Sequence, residues 1–278
     1  MTDHTSPAGR LYIVSTPIGN LADITLRAIE TLKGVAAILA EDTRHSRQLL
    51  ARYDIATPLV AYHEHNEARA TPGIIARLRD GESLALITDA GTPLLSDPGA
   101  RLVRAAIDAG VPVSPIPGAS AVLPALVASG IDSERFTFFG FLPRKGKART
   151  EALAAMVALE HAAVLYEAPQ RLADTLRDLA ARGAGGREAA VAREMTKQFE
   201  EFRRGTVDAL AEYYKESAPR GEVVVVLAGA AAATVDEQSL REHVERLRAT
   251  GASTRDIVRL LVEEHRAPRN VAYRIAHE

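Results

Sequence analysis

Charged and polar side chains in this sequence collect where short apolar runs stop, which is where an open α/β sheet presents its loops to a ligand. Residues 36–40 end at Glu41-Asp42-Thr43-Arg44, residues 59–62 at His63-Glu64-His65-Asn66-Glu67, and residues 163–166 at Glu167. The stretch after Ala85, Leu86 and Ile87 is the most informative. Residues 88–99 hold two aspartates, two glycines and two prolines before a helical pattern resumes near Ala100. A strand-to-helix connection usually needs about 2–6 residues, so this longer, rigid, backbone-exposing loop points to a binding role. Two further charged groups stand out: the basic Arg144, Lys145, Lys147 and Arg149 follow the strand pattern 136–141, and Arg193, Glu194 and Lys197 follow 189–192.

Other chemistries fit less well. None of the glycines forms a G-x-G-x-x-G pattern and there is no Walker A sequence, so a phosphate cradle is not expected. Gly118-Ala119-Ser120-Ala121-Val122 puts a serine at a strand-to-helix turn, but Val122 stands where a hydrolase elbow needs its second glycine. His63, His65 and Glu67 could in principle bind a metal, but two histidines two apart on a loop without a third convergent ligand are more often solvated, so no metal is expected, and Asn66 reads as a helix cap. The absence of cysteine removes disulfides and thiolate sites. The net charge of −2 leaves any nucleic-acid contact to a local patch. All six phenylalanines lie in two places flanked by basic residues, 136–141 and 199–202, an arrangement suited to stacking on unpaired bases, although strand phenylalanines more often serve the core. The polar first ten residues and the shortness of the longest apolar run, 223–233, lead us to expect a cytoplasmic protein with no membrane segment.

The elements that must position these groups alternate strand and helix. Strands at 11–14, 36–40, 59–62, 85–87 and 111–116, with helices between them, the first capped by Asp23, describe one doubly wound α/β domain over 11–130 after a flexible N-terminus at 1–10. A second α/β domain is expected over 131–229, with strands at 136–141, 163–166, 189–192, 201–204 and 222–228, and an alanine-rich linker then leads to a helical appendix within 230–278.

Seven segments together carry a family resemblance: VSTPIGNLADITLRA from Val14, AEDTRHSRQLL from Ala40, HEHNE from His63, ITDAGTPLLSDPGARLV from Ile87, IPGASAV from Ile116, FFGFLPRKGKAR from Phe138 and VAREMTKQFEEFRRG from Val191. The chain resembles the ribosomal RNA small-subunit methyltransferase I family of the tetrapyrrole methylase superfamily. That resemblance implies two α/β domains of the class III methyltransferase type with a cofactor cleft between them. It also implies a homodimer and transfer of a methyl group from S-adenosylmethionine to the ribose 2′-oxygen of a cytidine in the decoding region of small-subunit rRNA, within a ribosomal particle and without a DNA partner. By similarity the cofactor meets Thr16, Pro17, Asp89, Ala90, Gly91, Thr92, Pro93, Leu95, Ser120, Ala121, Tyr166, Glu167, Leu227 and Ala228. A weakly acidic 2′-hydroxyl benefits from a general base. The charged candidates in the family motifs are Glu41, Asp42, Lys145, Glu167 and Glu194, and the sequence does not choose among them. Arg144, Lys145, Lys147 and Arg149 are expected to hold RNA phosphates on a flexible loop. Two other readings stay open on sequence alone: a methyltransferase of this architecture acting on a tetrapyrrole or a protein side chain, and a non-enzymatic RNA-binding assembly protein.

Overall fold

The computed structural model describes residues 9–216, 219–230, 237–264, 267 and 269–278. Among them the strands form two five-stranded sheets. The first takes β1 (Leu11–Val14), β2 (Ala37–Ala40), β3 (Leu59–Ala61), β4 (Leu84–Leu86) and β5 (Val113–Ile116) in the order β3-β2-β4-β1-β5, all parallel. Strand alternation sends Leu11, Ala37, Leu39, Leu84 and Leu86 to one face, where they pack on α3 (Glu67–Arg79) and α4 (Ala100–Asp108) through Ile74, Leu78, Leu102 and Ala106. Val14, Ile38, Ala40, Ala85 and Ile87 go to the other, against Ala28 and Leu32 of α1 (Leu26–Gly34) and Leu50 of α2 (Thr43–Arg52). A sheet covered on both faces explains why its strands read as short continuous apolar runs.

The second sheet comprises β6 (Phe136–Phe141), β7 (Ala162–Glu167), β8 (Glu188–Arg193), β9 (Glu201–Thr206) and β10 (Val223–Leu227), ordered β6-β7-β10-β8-β9. Only β6 and β7 are parallel; β10 runs antiparallel to both β7 and β8. One face rests on α6 (Gly146–Ala158), α7 (Leu172–Leu179) and α8 (Val207–Lys215). The other is covered by α5 (Val122–Val127), which comes from the first half of the chain, together with Ile18. This shared layer holds the two sheets within one compact unit ending at Gly229; Ala230–Glu278 form a second. In that second unit α9 (Glu237–Ala249), α10 (Thr254–Glu263) and α11 (Arg269–His277) bury Leu240, Val244, Ile257, Leu261 and Ile275. Residues 231–233 of the expected alanine linker lie outside the described residues.

Several local expectations need correction. Thr25, not Asp23, caps α1, its side chain accepting the Ala28 N–H, because a 3-10 turn capped by Asn20 intervenes. Asn66 makes no cap bond to α3. Its side chain instead closes the preceding turn, accepting from His63 N–H at 2.9 Å and donating to Ala61 O at 3.0 Å. The fifth strand starts at Val113 rather than 111. The basic run is only half a loop, since α6 begins at Gly146 and takes Lys147 and Arg149 into its first turns.

Candidate active site

The loop after β4 is held by its own backbone and by β1. Thr16 and Gly91 exchange both backbone hydrogen bonds at 2.9 Å, and the Thr16 hydroxyl donates to Thr88 O at 3.0 Å. Thr92 accepts from the Ser15 hydroxyl and donates to Ala119 O, each at 3.2 Å, tying the loop to the turn after β5. Gly91 has φ +81°, and Leu94 and Ser96 also take positive φ, a conformation that side chains rarely adopt and that a surrounding framework must impose.

This loop forms one wall of a cavity of about 420 Å³ at the carboxyl ends of the first sheet's strands, a size suited to a small-molecule ligand. Tyr166, Glu167, Ala168 and Pro169 at the end of β7 form the opposite wall, with residues 221–224 at the start of β10. A second cavity of about 400 Å³ shares Ile18, Asp89, Ala90 and Glu222 with it and extends along Thr16, Pro17, His45 and Gln48. Glu41, Asp89 and Asp97 place three carboxyl groups in the first cavity. Burial, reinforced by Glu41 and Asp89, pushes the Asp97 carboxyl up to about 6 against an opposing hydrogen bond from Thr88. Glu41 is also raised, by burial first and by Asp89 second, while the Thr88 hydroxyl, 3.5 Å from its Oε2, works in the other direction. Burial and the charges of Asp97 and Glu222 push the Tyr166 phenol up to about 12. The Tyr166 ring is flanked by Phe138 and Phe141, at centroid distances of 4.9 and 5.3 Å.

The family model for Tetrapyrrole (Corrin/Porphyrin) Methylases matches residues 10–211, a span that includes every wall of the cavity except the start of β10. The chain is 44% identical to ribosomal RNA small subunit methyltransferase I of Synechocystis over 97% of this chain and 98% of that protein. It is 43% identical to the Bacillus subtilis protein of the same name, over 98% and 95%. The chain belongs to the ribosomal RNA small subunit methyltransferase I family. Solved structures agree on the fold. Diphthine synthase aligns with a TM-score of 0.61 at 16% identity over 79% of this chain and 90% of that chain. Uroporphyrin-III C-methyltransferase of Thermus thermophilus, complexed with S-adenosyl homocysteine, aligns at 0.58 and 19% over 79% and 97%.

For this methyltransferase I family member, the structure sorts the expected cofactor residues into two groups. Asp89, Ala90, Gly91, Thr92, Leu95, Ala121, Tyr166 and Glu167 line the first cavity, and Thr16 and Pro17 the second. Pro93 and Ser120 line neither: Pro93 is buried under the loop, and the Ser120 hydroxyl accepts the Val122 N–H at 3.2 Å. Leu227 and Ala228 are at the wrong end of their strand. Val223 pairs with Glu167 and Leu227 with Ala163, so the antiparallel β10 offers its first residues to the cleft and buries Leu227 in the core. The sequence pattern of a buried strand does not report its direction, which is why Gly221, Glu222, Val223 and Val224 went unnoticed. Asp97 was missed because Ser-Asp-Pro-Gly reads as ordinary turn chemistry.

Of the expected general bases, only Glu41 and Glu167 reach the cavity. Both Glu167 oxygens are engaged: Oε2 accepts from the Thr175 hydroxyl at 2.6 Å, and Oε1 from Ala168 N–H at 2.9 Å with Arg171 Nε at 3.3 Å. Glu194 is bound to Lys197 at 3.0 Å and to Glu222 N–H at 3.1 Å; burial opposes its charge, but these contacts outweigh it and hold the carboxyl low. Asp42 caps α2, and hydrogen bonds from the Arg44 backbone and side chain keep its carboxyl low. Lys145 is exposed outside both cavities. Arg149 is withdrawn from the basic surface by Asp178 at 2.8 Å and Thr175 at 3.0 Å, its side chain only 12% exposed. Arg144 and Lys145 carry no ion pair among the described residues, and Lys147 meets only Glu151 at 3.5 Å. The strand phenylalanines are not a closed core: β6 is an edge strand, leaving Phe136 and Phe141 exposed. Among the described residues no cluster of three His, Asp or Glu side chains is arranged to hold a metal, and no helix is long and apolar enough to cross a membrane.

Proposed function

We propose that the protein transfers a methyl group from S-adenosylmethionine to the ribose 2′-oxygen of a cytidine in the decoding region of small-subunit rRNA, acting in the cytoplasm as a homodimer on a ribosomal particle. The observation that carries this reading is the near end-to-end similarity to the Synechocystis and Bacillus relatives, in whose alignments the loops around the cavity fall. S-adenosylmethionine supplies, when bound, an electrophilic methyl on a positively charged sulfur. The cavity's composition fits that molecule. Asp89 and Glu41 are suited to its positive charges, the backbone at Ala90 and Gly91 to its polar groups, and Ala121, Tyr166, Ala168 and Val224 to an adenine ring. No phosphate cradle is needed. The task of the framed loop is to fix donor and acceptor in line, which is where most of the acceleration of a displacement reaction comes from. Arg144, Lys145 and Lys147 are free to meet RNA phosphates, and Phe141 at the cavity rim offers a stacking face.

The test is incubation of unmethylated small ribosomal subunits with the pure protein and methyl-labelled S-adenosylmethionine, followed by digestion to nucleosides. Label in 2′-O-methylcytidine is expected. Label in a base-methylated nucleoside, or none in RNA, would overturn the reading.

A further inference from the structure

Resting on that reading, we propose that Asp97 is the catalytic residue that accepts the proton of the attacking ribose hydroxyl. Five other acidic or phenolic groups of the cleft are less suited, the first being Glu222, whose Oε2 accepts from Lys197 Nζ at 3.1 Å. Glu167 is saturated by Thr175, Ala168 and Arg171. Asp89 Oδ1 takes the Asp42 N–H at 3.2 Å and so secures the loop to the end of β2. The Tyr166 phenol keeps its own proton throughout the neutral range. Glu41, at the end of β2, receives the Thr88 hydroxyl at 3.5 Å and feels the charges of His63 and Glu64.

Asp97 differs in position. It stands on the loop segment whose backbone is forced to positive φ at Leu94 and Ser96, between exposed Leu95 and Ser96 and the buried Thr88. That segment abuts the end of β6: at Gly140 a methyl group would lie 3.0 Å from the Ser96 hydroxyl. The basic residues Arg144 and Lys145 leave the same end of β6. A nucleotide whose phosphates meet those cations and whose ribose enters past Phe141 therefore arrives on the Asp97 side of the cavity.

The reaction balances. A lone pair of the 2′-oxygen forms the new bond to the methyl carbon, the carbon–sulfur bond breaks with its electron pair remaining on sulfur, and the hydroxyl proton passes to an Asp97 oxygen and then to water. A carboxyl group titrating near 6 is ionised at neutral pH and still more basic than an ordinary carboxylate, which suits a general base. The groups facing it are Glu41 from the end of β2, Thr88 and Asp89 from the same loop, and Tyr166 from the end of β7.

The experiment compares wild type, Asp97→Asn and Thr88→Val in single-turnover methylation of small subunits from pH 5 to 9. Binding of S-adenosylhomocysteine, which lacks the sulfonium charge, is measured in parallel by calorimetry. Wild-type rates should rise through about pH 6 and level off. Asp97→Asn should lose that inflection and about 100-fold or more in rate, with S-adenosylhomocysteine affinity within threefold. Thr88→Val removes a hydrogen bond that favours the charged form, so its inflection should move to higher pH. Carbon-13 titration of the free wild-type protein should show a carboxyl near 6 that is missing in Asp97→Asn, independently of turnover. Ribose methylation by Asp97→Asn within fivefold of wild type, an inflection that survives the substitution, or an ordinary Asp97 titration would overturn the assignment. Wild type that methylates a base, or nothing, would fail the functional reading first and this assignment with it.

Discussion

Glu167→Ala distinguishes an anchor from a general base, because the two roles predict opposite patterns of damage. The Glu167 side chain is fully buried and receives the Thr175 hydroxyl, the Ala168 N–H and the Arg171 guanidinium. Removing it leaves the Thr175 hydroxyl proton without an acceptor in a site with no exposure, though Arg149 still donates to that oxygen, and takes the carboxylate from a cation that is 22% exposed. Breaking a buried pair by deleting one partner costs about 3–5 kcal/mol. Arg171 keeps its bonds to Leu142 O and Pro143 O and some hydration, so the lower end applies, about 3 kcal/mol. For a unit of this size that is a fall of about 6–12 °C in melting temperature. Chemical denaturation and calorimetry measure the loss, and methylation is assayed well below the transition. Glu167→Ala should show a clear loss of stability, and Glu167→Gln should retain most of the activity. A Glu167→Gln protein as stable as wild type but nearly inactive would refute the anchor role and return Glu167 to the chemistry.

Asp97→Asn should stabilise the protein at pH 8, since its charged form is disfavoured in the fold. A displacement from 3.8 to about 6 corresponds to about 3 kcal/mol, and partial exposure reduces this to about 1–2. The folded-state value is raised, so wild type is at no disadvantage below about pH 4 and loses stability as pH rises toward 6; the gain from the substitution should grow over that window, and denaturation midpoints equal at pH 4 and pH 8 would contradict it. Replacing Arg144, Lys145 and Lys147 together by alanine should leave S-adenosylhomocysteine binding unchanged and reduce the salt slope of RNA binding by about 2, at about 0.7 per single-strand phosphate contact. Adding Arg149→Ala should cost stability instead, through the lost Asp178 and Thr175 bonds. Gly221→Ala puts a methyl group 2.0 Å from Glu194 Oε1 at a φ of +85°, and is expected to lower both melting temperature and cofactor affinity; an unchanged affinity would separate the start of β10 from the cofactor site.

Much of the architecture is legible in the sequence because the first sheet is buried on both faces and its runs stop abruptly at polar loops, as at Ile87 and Ala40. The lower legibility of the second sheet has a physical cause. β10 is a run of valines that looks the same in either direction, so only pairing with β7 reveals that Glu222 rather than Ala228 meets the cleft. Charge was also a poor guide to availability. Arg149 and Glu167 lie in polar motifs, yet Thr175 on α7 touches both and turns them into packing residues. Asp97 gains its character from burial first and then from Glu41 and Asp89, and Glu41 approaches it only once β2 is placed beside β4.

The cavity between the loop 89–97 and Tyr166 is the proposed seat of the methyl donor. A crystal structure of the protein with S-adenosylhomocysteine tests it most directly. The ligand is expected between Asp89–Gly91 and Tyr166, with its ring against Ala121 or Val224; density in a cavity that shares none of these residues, at saturating ligand, would contradict it.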